Sequence, residues 1–301
     1  MNNKDRNGNS GRRNGPVWRA GGALWTLDRR ALVMGILNIT PDSFSDGGEN
    51  LHLQDTLSSA RRLLAEGADI LDIGGESTRP GAAEVPVEEE IRRIRPVFEA
   101  LDGKVEAVLS IDTSKPEVAE AALKAGASIV NDVTGFRDPR MIDLCAPLEC
   151  GVVVMHMQGS PRTMQRNPRY TNVVCELRSY FQERFATLTN AGIAAERIVF
   201  DPGIGFGKSL DHNLSLIAGL ASLEVAGRPV FMGLSRKSFL GALVGRDGLA
   251  CREHPTQALT ALTRRNGAMI HRVHRVGECR QALRMIEAVL NGGAGQSVIE
   301  C

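Results

Sequence analysis

Acidic, amide, hydroxyl, basic and histidine side chains, which can bind ligands or transfer protons, recur along the chain. Each lies at the end of a short apolar segment or shortly after it. Carboxylates, amides, cations and a histidine at such positions are typical of a pocket built jointly by several strand ends, because the ends of parallel strands in a barrel open on one face. A single residue of this kind carries little weight, since many of them cap the following turn. The residues are Asn38, Asp42, Asp72, Glu76, Asp112, Asn131, Asp132, His156, Asp201, Ser235, Arg236, Lys237, Arg272 and His274.

Two long polar loops follow the first two apolar segments. Residues 38–48 read NITPDSFSDGG, which is too long and too polar for an ordinary strand-to-helix connection, so we expect a mobile lid. Residues 74–84 read GGESTRPGAAE and place Thr78 and Arg79 where a bound molecule would meet them. Because arginine suits bidentate recognition of phosphate or carboxylate, this loop indicates an anionic substrate group.

Eight apolar segments of four to eight residues must position these side chains. They are rich in leucine or β-branched residues and apolar on both faces, which predicts buried parallel strands. Amphipathic segments with apolar residues at three- and four-residue spacing separate them and predict helices. The apolar segments span residues 33–40, 68–75, 107–113, 128–135, 151–157, 197–203, 229–235 and 268–274.

This alternation predicts an α/β fold with a single domain. Eight strand–helix repeats favour a closed (β/α)8 TIM barrel with the active site at the C-terminal ends of the strands, and an open doubly wound sheet is the alternative. Such a barrel uses about 250 residues as one unit. We therefore expect the barrel over residues 31–295 and a flexible basic N-terminal arm over residues 1–30.

Composition and charge exclude several classes of protein. Residues 1–30 carry seven basic and two acidic residues, whereas the remainder carries 29 basic and 33 acidic residues, so the body is no general binder of nucleic acid. The longest apolar runs are too short to span a membrane. The arm lacks the apolar region of a secretory signal, and the six cysteines form no CxxC pair. We expect a cytoplasmic protein with reduced thiols and no zinc site.

The motifs together resemble those of the dihydropteroate synthase family, from residue 33 to about residue 290. The two loop sequences are long and specific. Further matches are SIDTSKP (110–116), ND (131–132), VMHMQG (154–159), DPGIGFGK (201–208), GLSRKSFLG (233–241) and RVH (272–274). The resemblance implies a transferase that condenses para-aminobenzoate with dihydropterin-methyl diphosphate through a pterin cation. It also implies Mg²⁺ as cofactor, a homodimer and sensitivity to sulfonamides.

The resemblance further implies a role for each matching residue. Catalysis falls to Asp42, Asp46, Asp112 and Lys237. Asp112, Asn131, Asp201, Lys237 and Arg272 would bind the pterin, and Asn38, Arg79, Arg272 and His274 the diphosphate, with Asn38 also binding the metal. Phe44, Thr78, Arg79, Pro80, Phe206 and Ser238 would form the aminobenzoate pocket.

Two residues at the last strand depart from the family pattern, and two other functions stay open. Arg275 stands where the family usually has an acid, which could tighten phosphate binding or only change a surface ion pair, and His271 replaces a common aliphatic residue. A pterin-dependent methyltransferase would share the pterin-binding acids but would not need the diphosphate set. A non-catalytic pterin-binding protein would not need both loops and Lys237. We expect His156 to be structural.

Overall fold

Eight parallel strands close into a barrel, and a two-stranded antiparallel hairpin precedes them. The computed structural model describes residues 15–39, 49–77, 83–161, 163–246 and 248–292. The hairpin strands are β1 (Val17–Ala20) and β2 (Ala23–Thr26). The barrel strands are β3 (Leu32–Asn38), β4 (Ile70–Gly74), β5 (Val108–Asp112), β6 (Ile129–Asp132), β7 (Gly151–Met155), β8 (Ile198–Asp201), β9 (Val230–Met232) and β10 (Ala268–Val273).

Helices alternate with the barrel strands and surround them. They are α1 (Glu49–Ala65), α2 (Val87–Leu101), α3 (Pro116–Lys124), α4 (Pro139–Cys145), α5 (Val173–Asn190), α6 (Leu210–Ala218), α7 (Ser238–Val244), α8 (Glu253–Arg265) and α9 (Val276–Leu290). Neighbouring strands pair in chain order, and β10 pairs with β3 to complete the ring. The predicted closed barrel is confirmed, and each predicted segment overlaps one of its strands. No described helix combines the length and the apolar composition needed to cross a bilayer.

The two-residue period of the strands separates the barrel interior from the layer beneath the helices. In β3, Leu32 and Met34 belong to the interior cluster, whereas Val33 and Leu37 pack in the outer cluster. Two residues further along several strands the interior positions become polar, which prepares the site at the C-terminal end. The pairs are Ile70 then Asp72, Ile129 then Asn131, Val199 then Asp201, and Ile270 then Arg272.

The hairpin covers the N-terminal end of the barrel. Trp18 is fully buried against the interior cluster, its ring lies 5.1 Å from that of Trp25, and its Nε1 donates to the carbonyl of Arg197 at 3.1 Å. The flexible arm predicted for residues 1–30 is therefore wrong for residues 17–26. Their apolar residues pack on the barrel, a tendency hidden by the basic composition of the whole segment. Residues 1–14 lie outside the described part of the chain.

His271 is buried on the outer side of β10, where the family resemblance leads one to expect an aliphatic side chain. It pairs in register with Val33, and its exposed fraction is 1%. Neither ring nitrogen has a hydrogen-bonding partner of normal geometry among the described residues. Burial lowers the pKa of His271 to about 3; the charge of Arg264 adds to the shift and the Ala268 carbonyl opposes it. The ring is therefore neutral in the folded protein.

We expect His271→Leu to raise the free energy of unfolding near neutral pH by about 1–3 kcal/mol, because it removes buried polar atoms that lack partners. Below pH 6.5 the gain should grow by up to about 1.4 kcal/mol per pH unit, since only the unfolded chain then protonates His271. Chemical denaturation at several pH values measures both effects. His254→Leu, at an exposed position of α8, is the control. A less stable His271→Leu variant would contradict this interpretation.

Candidate active site

A cavity of about 780 Å³ opens at the C-terminal end of the barrel. Seven of the predicted site residues line it: Asn38, Asp112, Phe206, Lys237, Ser238, Arg272 and His274. Asn131 and Asp201 lie at the ends of β6 and β8 and are 4% and 5% exposed. The barrel thus brings together nine predicted residues from positions 38 to 274. The predictions for Asp42, Phe44, Asp46, Thr78, Arg79 and Pro80 lie outside the described residues.

Arg272 on β10 joins carboxylates from two other strands. Its Nε donates to Asp72 Oδ2 at 2.6 Å, and its Nη2 donates to Asp112 Oδ2 at 2.5 Å. Although burial opposes it, the charges of Asp112 and Asp72 raise the pKa of the guanidinium above its ordinary value. Arg272 therefore stays charged and fixes both carboxylates in place.

Asp72 is the most connected residue of this group and was predicted only as one polar strand end among many. It is fully buried, and besides Arg272 it accepts hydrogen bonds from Ser110 Oγ at 2.5 Å and Asn131 Nδ2 at 3.1 Å. One carboxylate thus orients two predicted pterin-binding residues, Asn131 and Arg272. The signal in the sequence was its interior position two residues after Ile70.

Asp132 shows the opposite outcome for a similar residue. It is as deeply buried as Asp72, but its carboxylate accepts the backbone N–H groups of Thr134 at 2.7 Å and Phe136 at 2.8 Å. It therefore organises the turn after β6, which is the capping role that the sequence left open.

Asp112 lines the cavity and uses only one of its carboxylate oxygens in a hydrogen bond to a described residue. Its Oδ2 binds Arg272, whereas its Oδ1 has no partner within the described part of the chain. Burial raises the pKa of Asp112 to about 7, with Arg272 opposing the shift and Asp72 adding to it. A buried carboxylate oxygen without a partner is costly unless a ligand supplies a donor, so Asp112 is suited to bind one.

Asp201 forms a second acidic position across the barrel. Its Oδ1 accepts the backbone N–H of Gly203 at 2.7 Å. Burial raises the pKa of Asp201 to about 6, against the effects of that hydrogen bond and of Lys237. Two buried acids with raised pKa values at the strand ends of one barrel are typical of a functional site.

The glycine-rich loop after β8 carries an aromatic ring into the cavity. Gly203 has φ of 63°, and a Cβ there would lie 2.0 Å from the carbonyl oxygen of His156, so only glycine fits. Further along the loop, the Phe206 ring lies 3.9 Å from Lys237 Nζ, at cation–π distance. Apart from Asp201 and Phe206, no residue of this loop was predicted to have a functional role.

The mouth of the cavity near β10 holds His274 and Asn38. His274 donates its backbone N–H to Ser235 Oγ at 3.2 Å, and that hydroxyl lies 3.0 Å from His274 Nδ1. Asn38 ends β3. Arg275 pairs at the surface with Glu253 at 3.9 Å and Glu278 at 3.7 Å, so of the two predicted effects the structure shows the changed surface ion pair.

Comparison with known proteins agrees with this geometry. The family model described as "Pterin binding enzyme" matches residues 34–274. The chain belongs to this family. It is 47% identical over 259 residues to the dihydropteroate synthase of Escherichia coli, which covers 86% of this chain and 92% of that protein. Its similarity to such relatives shows that the chain is a transferase of the dihydropteroate synthase type.

Two solved structures of family members share the fold. The Xanthomonas albilineans dihydropteroate synthase with 4-aminobenzoic acid has a TM-score of 0.84 at 46% identity and covers 92% of this chain and 98% of that one. The Burkholderia cenocepacia enzyme complexed with 7,8-dihydropteroate has a TM-score of 0.85 at 42% identity, covering 95% and 100%. The likeness therefore extends over nearly the whole barrel.

We expect Asp72→Asn to weaken binding of a pterin ligand by about 10- to 100-fold, because Arg272 and Asn131 lose the carboxylate that orients them. Isothermal titration with the pterin diphosphate measures the affinity. Asp132→Asn is the matched control, since Asp132 is equally buried but, among the described residues, accepts hydrogen bonds only from its own turn. Equal losses of affinity in the two variants would contradict the special role of Asp72.

Proposed function

We propose a division of labour among the described residues for the dihydropteroate synthase reaction. In that reaction para-aminobenzoate condenses with (7,8-dihydropterin-6-yl)methyl diphosphate to give 7,8-dihydropteroate and diphosphate. The observation that carries the assignment is Asp112, which lines the cavity and has one buried carboxylate oxygen without a partner among the described residues, while Arg272 holds the other oxygen. The family resemblance implies that the bond to diphosphate breaks first and leaves a pterin cation.

The buried acids Asp112 and Asp201 bind the pterin and stabilise the pterin cation. A pterin presents an aminopyrimidinone edge with donors and acceptors side by side, which Asp112, Asn131 and Asp201 can pair together. Ionised Asp112 and Asp201 also stabilise positive charge that develops on the ring, an effect that is strong where water is excluded. Lys237 also lines the cavity, with its Nζ over the ring of Phe206.

The diphosphate binds at the mouth of the cavity, on the side of β3 and β10. Asn38 and His274 line this region together with Arg272. The charge of Arg272 is already shared between Asp72 and Asp112, so we assign Arg272 mainly to holding these two carboxylates in place. The remaining positive charge toward diphosphate then comes from His274 when protonated and from the predicted Arg79.

Asn38 fits Mg²⁺ as a single protein ligand. Its amide oxygen is a hard donor at the cavity wall, and the described residues hold no group of three or more His, Cys, Asp or Glu that could hold a metal ion. Mg²⁺ commonly binds through few protein groups, with phosphate oxygens and water completing the shell. When bound, it would offset negative charge on the leaving diphosphate.

Para-aminobenzoate lies against Phe206, with Ser238 and Lys237 nearby. The ring of Phe206 offers an aromatic face, and Lys237 offers a cation at the same wall. The aniline nitrogen is nucleophilic while neutral, so the chain needs no general base to activate it. Sulfonamides imitate this substrate and should compete for the same wall.

Assembly and location stay predictions. A homodimer is supported by exposed apolar side chains on α8 and α9, namely Leu262, Met285, Val289 and Leu290. The proposed cytoplasmic location rests on the cysteine pattern, which contains no CxxC pair.

We expect the purified protein to release diphosphate from the pterin substrate only with Mg²⁺ and to form dihydropteroate when para-aminobenzoate is added. Removing Mg²⁺ with a chelator should abolish turnover, and Asn38→Ala should raise the Mg²⁺ concentration needed for half-maximal rate. A coupled diphosphate assay measures both. If no diphosphate is released, the proposed function is contradicted, and the methyltransferase and the non-catalytic pterin-binding protein remain as hypotheses.

We expect kcat/KM for the pterin substrate to fall as the pH drops below about 7, because protonation removes the charge of Asp112. Asp112→Asn should lower turnover by about two to three orders of magnitude and remove this part of the pH profile. Steady-state kinetics over a range of pH measure both. Unchanged turnover in Asp112→Asn would show that Asp112 is only structural.

A further inference from the structure

Lys208 is a buried lysine at the cavity that the mechanism above does not use. It ends the glycine-rich loop after β8, lines the cavity and has an exposed fraction of only 3%. A buried ammonium group is costly unless hydrogen bonds satisfy it. Its contacts therefore indicate what it does.

Lys208 Nζ has three acceptors on two different segments. It donates to the carbonyl of Phe206 at 2.9 Å and to the carbonyl of His156 at 3.3 Å, and it lies 3.1 Å from His156 Nδ1. Three acceptors match the three N–H bonds of an ammonium group. Since His156 directly follows β7 and Phe206 lies in the loop after β8, one side chain ties these two segments together.

The charges around Lys208 are consistent with this geometry. Burial lowers the pKa of His156 to about 2, with the charges of Lys208 and Arg137 adding to the shift, so the ring is neutral and its Nδ1 can accept. Burial also lowers the pKa of Lys208 to about 7, opposed by Asp201 and reinforced by Lys237. The ring of His156 is itself held edge-on by Tyr180, with centroids 4.8 Å apart.

We propose that Lys208 is a positioning residue for the aminobenzoate site. Lys208 fixes the backbone of Phe206 against His156 and thereby holds the Phe206 ring in place. The Phe206 ring is the aromatic wall assigned above to aminobenzoate, and it lies 3.9 Å from Lys237 Nζ. Gly205 and Gly207, on either side of Phe206, both have positive φ, so the loop relies on outside contacts for its shape. Lys208 supplies such a contact at Phe206 itself. This inference rests on the proposed role of Phe206.

The test is Lys208→Met, which keeps much of the side-chain volume and removes all three donors. We expect KM for para-aminobenzoate to rise about tenfold and the affinity for a sulfonamide to fall by a similar factor. The dissociation constant of the pterin diphosphate, measured by titration without aminobenzoate, should change less than twofold. Lys124→Met is the matched control, because Lys124 is exposed on α3 and forms an ion pair with Glu120 on the same helix.

A merely structural lysine would give a different result. If Lys208 acts through Phe206, its replacement should have little further effect on the aminobenzoate KM in a Phe206→Ala background. Equal weakening of pterin and aminobenzoate binding, or additive effects in the double variant, would overturn the inference. Should Lys208→Met fail to fold, Lys208→Arg keeps the charge but not the geometry, and it should raise the aminobenzoate KM selectively by a smaller factor.

A direct probe separates this inference from the proposed function. Fluorine-labelled phenylalanine gives a resonance for Phe206 that Phe206→Leu identifies by its disappearance. We expect this resonance to shift or broaden in Lys208→Met and not in Lys124→Met, whether or not the protein turns over substrate. An unchanged resonance would overturn the inference, whereas absence of turnover in the unmodified protein would contradict only the proposed function.

Discussion

The buried guanidinium of Arg272 binds Asp72 and Asp112 at once. The polar floor of the cavity, formed by Asp72, Asp112, Asn131 and Arg272, depends on this contact. Two carboxylates this close would repel each other without the cation between them. Removing one partner of such a buried pair generally costs about 3–5 kcal/mol, because the remaining charge is left unpaired. The same contact leaves Asp112 Oδ1 buried without a partner among the described residues. Structural integrity and ligand binding are thus linked through one side chain.

The strand period explains how a stable barrel can contain such a floor. Interior positions at the N-terminal side are apolar and are covered by Trp18 of the hairpin, whereas the next interior positions are polar. One strand therefore supplies both core and site, as Ile70 and Asp72 do in β4. Closure through β10 and β3 then brings Arg272 within reach of residues far earlier in the chain. The site is a consequence of ring closure and register.

The sequence predicted the barrel and the pocket residues well, because both follow from local patterns. Eight apolar segments ending in polar residues are visible without coordinates, and family motifs mark Asp112, Asn131 and Asp201. Contacts between strands are less accessible. Only strand register distinguishes Asp72, which lies two residues after the interior Ile70 and orients Arg272, from Asp132, which follows the interior Asn131 and caps a turn. The buried hairpin was hidden for a similar reason: its basic surroundings dominate composition, while the packing of Trp18 depends on the barrel.

A double-mutant cycle on Asp72 and Arg272, read out as pterin affinity, tests the central claim most directly. If the two residues act as one unit with Asp112, the effects of Asp72→Asn and Arg272→Gln should be strongly non-additive. The coupling energy expected for directly hydrogen-bonded charges is about 0.5–3 kcal/mol. The double variant should therefore bind the pterin with nearly the same affinity as the single variant that binds it more weakly. Additive losses would contradict the claim, because they would show that Asp72 and Arg272 contribute to the pocket independently.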